Sequence, residues 1–200
     1  MRNDGRCAAI AESQFGAGED AKVFTMLTLG TGIGGALIYN GILFDGSTYD
    51  AGDFGHAVIR SDIDAFNCNC GKRGCFETQA SAYGLVKQMW KQNPENIESI
   101  TNAKEVLQLL RIGNTYAIQA FDIFMNDLST GLANLITFYN PDVIAICGGL
   151  SQASEIFISI EELVNKKTLP ATRKKCKIIP AKLGIDAGAI GAALLVFSSE

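Results

Sequence analysis

The stretch AGDFGHAVIRSDIDAFNCNCGKRGCFE, residues 51–77, holds the chain's one histidine, His56, and then three cysteines, Cys68, Cys70 and Cys75, spaced C-x-C-x4-C. Three thiolates and one imidazole make up a tetrahedral Cys3His shell, the set Zn²⁺ prefers. The competing reading is a disulfide or three idle thiols. Cys68 and Cys70 are too close in sequence for easy pairing, and any bridge among the three leaves one over. The C-x-C gap is tighter than usual for zinc, but the spacing predicts a metal-stapled loop over about 53–77. Four protein ligands close the site, so the ion would be structural rather than catalytic. Within the loop, Asp53 and His56 stand three apart. A ligating histidine needs an orienting partner for its second ring nitrogen, which could also face a substrate. Asp53 reads either as part of such a site or as a solvated loop acid.

Upstream, VFTMLTLGTGIGGALIYNGILF (residues 23–44) reads as strand, glycine turn, strand, tight turn, strand, with Asn40-Gly41 as the hairpin signal. The turn Gly30-Thr31-Gly32-Ile33-Gly34-Gly35 could let backbone N–H groups approach a phosphate, or be a plain glycine hairpin. A strand follows the glycines, so it is no Rossmann fingerprint. Before it, Asn3 or Asp4 can cap a small-residue helix over 5–14. No strand precedes that helix, which leads us to expect upstream sequence missing from the chain.

Downstream, Glu77 precedes a helix over 80–90, where a carboxylate is favourable in any case. A short helix over 103–110 and a long one over 114–138 follow, the latter ended by Asn140-Pro141. Residues 142–147 form a buried, β-branched strand ending in Gly148-Gly149. Such a turn at a strand's C-terminal end is where open α/β sheets bind nucleotides, or it is simply a close turn. Ser151 is placed to cap the next helix, about 153–165. A strand at 177–181 and a helix of small residues at 187–197 complete the chain.

The 200 residues are 48% hydrophobic and 19% charged, as expected for a folded globular protein with a real core. A net charge of −4 argues against nucleic acid as the main partner. No apolar run reaches the ~18 residues of a membrane helix, and the first residues carry no signal-peptide core. Unpatterned Cys7, Cys147 and Cys176 fit a reducing, cytoplasmic setting.

These pieces resemble the C-terminal lobe of the ROK family of repressors and sugar kinases. CNCGKRGCFE (68–77) fits that family's C-x-C-G-x-x-G-C-x-E signature in full. LTLGTGIGGALIYNG (27–41) resembles its second phosphate motif, ICGGLS (146–151) its adenosine-side turn, and LGIDAGAIGAA (183–193) its closing motif. Asn3-Asp4-x-x-x-Ala8-Ala9-x-Ala11-Glu12 resembles the segment with its catalytic aspartate. The resemblance implies an α/β fold, the C-terminal lobe of the ribonuclease-H-like actin/hexokinase ATPase fold, with a mixed sheet flanked by helices and a zinc-stapled loop, residues 1–200 forming one lobe. It implies ATP-dependent phosphorylation of a hexose or N-acylhexosamine, with Mg²⁺ accompanying ATP, and a homodimer in the cytoplasm. Asp4 would be the general base and Asn3 a sugar ligand. Asp53, His56 and Glu77 would ring the sugar, and His56 would also bind zinc with Cys68, Cys70 and Cys75. Gly30, Thr31, Gly32 and Gly34 would meet phosphates; Gly148 and Gly149 would meet adenosine.

The chain departs from the family's pattern in three places. Asp53 stands where the kinases carry glutamate, one methylene longer. Gly5-Arg6-Cys7 is bulkier and more charged than the small residues usual there. The Asp-x-Gly-Gly phosphate loop of the first lobe has no counterpart. The alternatives are the sugar-sensing part of a ROK transcriptional repressor, the one reading with a nucleic-acid partner, and an inactive zinc-stapled remnant. With a lobe missing, the helices at 5–14 and 187–197 should leave an exposed apolar patch.

Overall fold

The computed structural model describes residues 4–95 and 100–197. Helix α1 (Asp4–Phe15) leads into strands β1 (Val23–Leu29), β2 (Ile33–Tyr39) and β3 (Ile42–Leu43). Between β2 and β3, Asn40 and Gly41 both adopt positive φ, +49° and +75°, as a two-residue turn matched to strand twist requires. The loop with the cysteine run follows, then helices α2 (Phe76–Ala80), α3 (Ala82–Gln92), α4 (Ala103–Arg111) and α5 (Thr115–Tyr139). Strand β4 (Val143–Cys147), helix α6 (Ser154–Lys167), strand β5 (Lys177–Pro180) and helix α7 (Ala187–Phe197) end the described chain.

The sheet order is β3-β2-β1-β4-β5, with β1–β2 and β2–β3 antiparallel and β1–β4 and β4–β5 parallel. Its two faces follow the period-2 alternation of the strands. Leu27, Leu29, Ile33, Leu37, Ile144, Ile146 and Ile178 join the larger core with α2 to α6. Phe24, Met26, Ala36, Ile38 and Ala145 point the other way, onto Ala9 and Ile10 of α1, with Leu194 of α7 packed beside them.

Helices α1 and α7 lie against each other. A Cβ on Gly191 would fall 1.7 Å from the Cys7 carbonyl oxygen, so only glycine permits this approach. Of the apolar surface expected along both helices, Ala189, Ala192 and Ala193 of α7 stay exposed, and on α1 Phe15 is exposed at the helix's end. On α1, Cys7, Ala9, Ile10 and Ala11 are buried. Ser151 does not cap the following helix. It lies in a 3-10 turn, its hydroxyl donates to the Gly148 carbonyl at 2.7 Å, and Ala153 holds the cap position instead.

Candidate functional site

Helix α1 begins at Asp4, whose side chain is exposed at the helix end. Asp4, Gly5 and Ala8 form one wall of a cleft of about 420 Å³. Thr28, Gly34 and Gly35 of the sheet, Asp53, and Gly184 and Gly188 near the start of α7 supply the rest. Two carboxylates 49 positions apart in the chain thus share one opening. The Thr28 hydroxyl accepts from the Gly34 N–H at 2.9 Å and ties the ends of β1 and β2 at the cleft floor. Asn3 lies outside the described residues.

The other predicted residues surround this cleft in separate recesses. Asp53 also borders a hollow of about 400 Å³ with His56, Phe54, Phe76 and Tyr139. Thr31, Gly32 and Glu77 line a third, of about 320 Å³, with Ser81 and Lys87. Asp53 and His56 thus share one of these hollows, and Glu77 lines another. They are neighbours nonetheless: a Cβ on Gly55 would lie 2.0 Å from the Ile33 carbonyl and 3.2 Å from Cβ of Glu77. The Glu77 carboxylate accepts from the Ile33 N–H at 3.1 Å and fixes the glycine turn above it. Gly148, at φ +94°, abuts the Leu29 carbonyl, where a Cβ would come within 2.6 Å. The Gly30 and Gly148 turns thereby adjoin at the C-terminal ends of parallel β1 and β4, although Gly30, Gly148 and Gly149 line none of the three hollows.

His56, Cys68, Cys70 and Cys75 come together, their ligand atoms all within 4.8 Å of one another. Nδ1 of His56 is 3.7 Å from Sγ of Cys68, and Sγ of Cys70 is 3.6 Å from Sγ of Cys75. A tetrahedron with metal–sulfur bonds of about 2.3 Å has edges of roughly 3.8 Å, so the donor set fits zinc. Burial pushes the Cys75 thiol up to about 12, with the neighbouring sulfurs adding to it, while the Lys72 N–H pulls Cys70 down. A cation among them would relieve that conflict. The loop geometry depends on two glycines in the left-handed region. Gly71 (φ +88°) closes the turn back to Cys68, and Gly74 (φ +76°) passes so close to Arg60 that a Cβ would meet its carbonyl oxygen at 1.7 Å. The Lys72 ammonium donates to the His56 carbonyl at 2.7 Å. Cys75 is the cap position of α2, and the next residue, Phe76, is buried against Gly131 of α5. The cluster is thus mechanically joined to Glu77.

Sequence reasoning missed several residues. Thr28, Gly184 and Gly188 line the Asp4 cleft; they lie within the quoted motifs at 27–41 and 183–193 but were given no site role. The fully buried carboxylate of Glu12 accepts from the Ala17 N–H at 2.8 Å and the Leu183 N–H at 2.6 Å, holding the segment before α7 to α1.

By sheet order, paired helices and cleft, this is an α/β protein of the kind seen in solved ROK sugar-kinase structures. It superposes with a TM-score of 0.83 on a ROK family glucokinase from Streptomyces griseus in complex with glucose and AMPPNP, at 30% identity, covering 98% of this chain and 67% of that one. The ROK family model matches residues 1–199, and the chain belongs to that family. It is 34% identical to a glucokinase of Halalkalibacterium halodurans, over 99% of this chain and 63% of that protein. It is also 34% identical to an N-acetyl-D-glucosamine kinase of Vibrio atlanticus, over 98% and 66% respectively. The chain therefore spans somewhat less than two thirds of these relatives' lengths.

Proposed function

We propose that this chain supplies sugar- and nucleotide-facing surfaces of an ATP-dependent kinase for a hexose or N-acylhexosamine. The observation that carries the reading is the cleft shared by Asp4 and Asp53 beside the glycine-lined ends of β1 and β2. Phosphoryl transfer from ATP to a hydroxyl needs alignment and charge stabilisation more than covalent chemistry. Asp4, exposed at the head of α1, takes the proton from the attacking hydroxyl. Asn3, Asp53, His56 and Glu77 hold the sugar's hydroxyls; Glu77 offers its second oxygen, the first being engaged by Ile33. Gly30, Thr31, Gly32 and Gly34 present N–H groups and a hydroxyl to the phosphates, and Gly148 and Gly149 leave room for adenosine where the parallel strands end. Mg²⁺ accompanying ATP neutralises charge on the phosphates in this reading.

Zinc held by His56, Cys68, Cys70 and Cys75 is structural in this reading. It fixes the loop and leaves the other ring nitrogen of His56 for a substrate. Two cores on the faces of one sheet support treating residues 1–200 as one lobe. The reading sets the reaction in the cytoplasm, where ATP is supplied. The names of the two relatives, a glucokinase and an N-acetyl-D-glucosamine kinase, support the substrate class and do not choose within it.

The test is calorimetric titration with glucose and N-acetylglucosamine, joined to an ATP-dependent phosphorylation assay of the protein carrying this chain. Asp4→Asn is expected to lower turnover by about 10²- to 10⁴-fold, with sugar affinity kept within a few-fold. Wild-type turnover in that variant would refute the role of Asp4, and absence of binding to either sugar would refute the substrate class.

A further inference from the structure

Arg6 is an improbable resident of its position. It follows Asp4 by two residues on α1, yet it is only 7% exposed. A guanidinium taken out of water is costly unless it is paired and hydrogen-bonded. Three of the groups that Arg6 meets lie in one loop: Nη1 donates to the Tyr49 carbonyl, Nη2 donates to the Ala51 carbonyl at 2.9 Å, and Asp45 stands 3.8 Å away. That loop leads directly to Asp53. We infer that Arg6 is a positioning residue: it straps the 45–52 loop to the helix that carries Asp4, and so sets where Asp53 stands across the cleft. The inference rests on the kinase reading of that cleft.

Three features support a strap rather than incidental packing. Tyr49 holds φ +65°, a conformation unfavourable for its type, and the residue is 73% exposed, so burial does not keep it there. Its carbonyl is one of the two that Arg6 engages. Gly52, at φ +102°, passes so close to β2 that a Cβ would lie 2.7 Å from the Gly35 carbonyl, which pins the loop's far end to the sheet. Asp53 follows at once, and its carboxylate makes no capping hydrogen bond to the turn it precedes. Its placement therefore comes from the backbone, held by Arg6 on one side and β2 on the other. A planar guanidinium can serve two carbonyls and a carboxylate together, which a lysine ammonium cannot do in the same geometry.

Arg6→Lys and Arg6→Ala would be compared with wild type by hydrogen exchange of residues 45–53, by sugar calorimetry and by zinc content. In Arg6→Lys, amide protection in the loop should fall and sugar affinity should weaken about 10- to 100-fold, the range an ångström-scale misplacement can cost. Zinc stoichiometry and protection of the sheet should stay as in wild type. If Arg6→Ala fails to fold, Arg6→Lys decides. Unchanged loop exchange and unchanged affinity in Arg6→Lys would overturn the inference. A wild-type chain that binds no sugar, while Arg6→Lys still frees the loop, overturns the kinase reading and leaves the strap standing.

Discussion

Glu77 shows how one side chain can tie together elements far apart in the chain. It lies in the first turn of α2, where a carboxylate favours the helix, but its hydrogen bond goes elsewhere, across 44 residues to the Ile33 N–H. Gly32 has no Cβ because one there would lie 2.3 Å from that carboxylate. Removing the acceptor should strand the Ile33 amide and loosen the glycine turn. Glu77→Ala is expected to cost about 1–3 kcal/mol in urea unfolding, with Glu77→Gln recovering most of it because the amide oxygen still accepts. Equal stability of Glu77→Ala and wild type would show that the bond contributes nothing. Sequence alone left Glu77 between a helix-end role and a site role. Neither role foretold the bond to Ile33, since only folding brings β2 over α2.

At the scale of elements, the loop over 57–75 has little regular structure, two isolated β-bridges (Val58–Cys75 and Asn67–Arg73) and a cluster of sulfurs. Such a segment lacks enough apolar burial of its own, so its order should depend on the ion. One zinc per chain is expected by native mass spectrometry, and cobalt exchange should give thiolate-to-metal absorption. Chelation should expose Cys68 and Cys75 to alkylation and lower the melting temperature. A metal-free chain melting as the loaded one does would remove zinc from the account. The element boundaries were largely legible in advance because strand alternation, helix period and the Asn40-Gly41 turn are local signals. The cap of α6 was not: Ser151 is spent on the Gly148 carbonyl inside a 3-10 turn, a competition that sequence does not reveal.

Across the whole molecule, the two cores share one sheet, and two cysteines outside the cluster register that burial. Burial pushes the Cys147 thiol up to about 11, helped by Glu12, and the Cys176 thiol up to about 12. The folded chain keeps these protons in a range where the unfolded chain, with ordinary thiols, gives them up. The stability they support is thus fully present below pH 9 and is lost as pH rises from there towards 12. Unfolding free energy should be level from pH 7 to 8.5 and decline beyond 9, and Cys147→Ala with Cys176→Ala should flatten the decline. A pH profile unaltered by the double substitution would refute this.

By itself, the order of residues determined the strands, the long helix, the histidine–cysteine cluster and the family, because each rests on short-range spacing. It could not decide which of the marked residues share a cleft. Asp4 with Asp53, Arg6 with the Ala51 carbonyl 45 residues away, and Glu12 with the Leu183 amide 171 residues away all depend on how the sheet folds. Tertiary structure decided these because such contacts form only after long loops close, and the entropy of closure is recovered from burial spread over the whole core rather than from any local pattern.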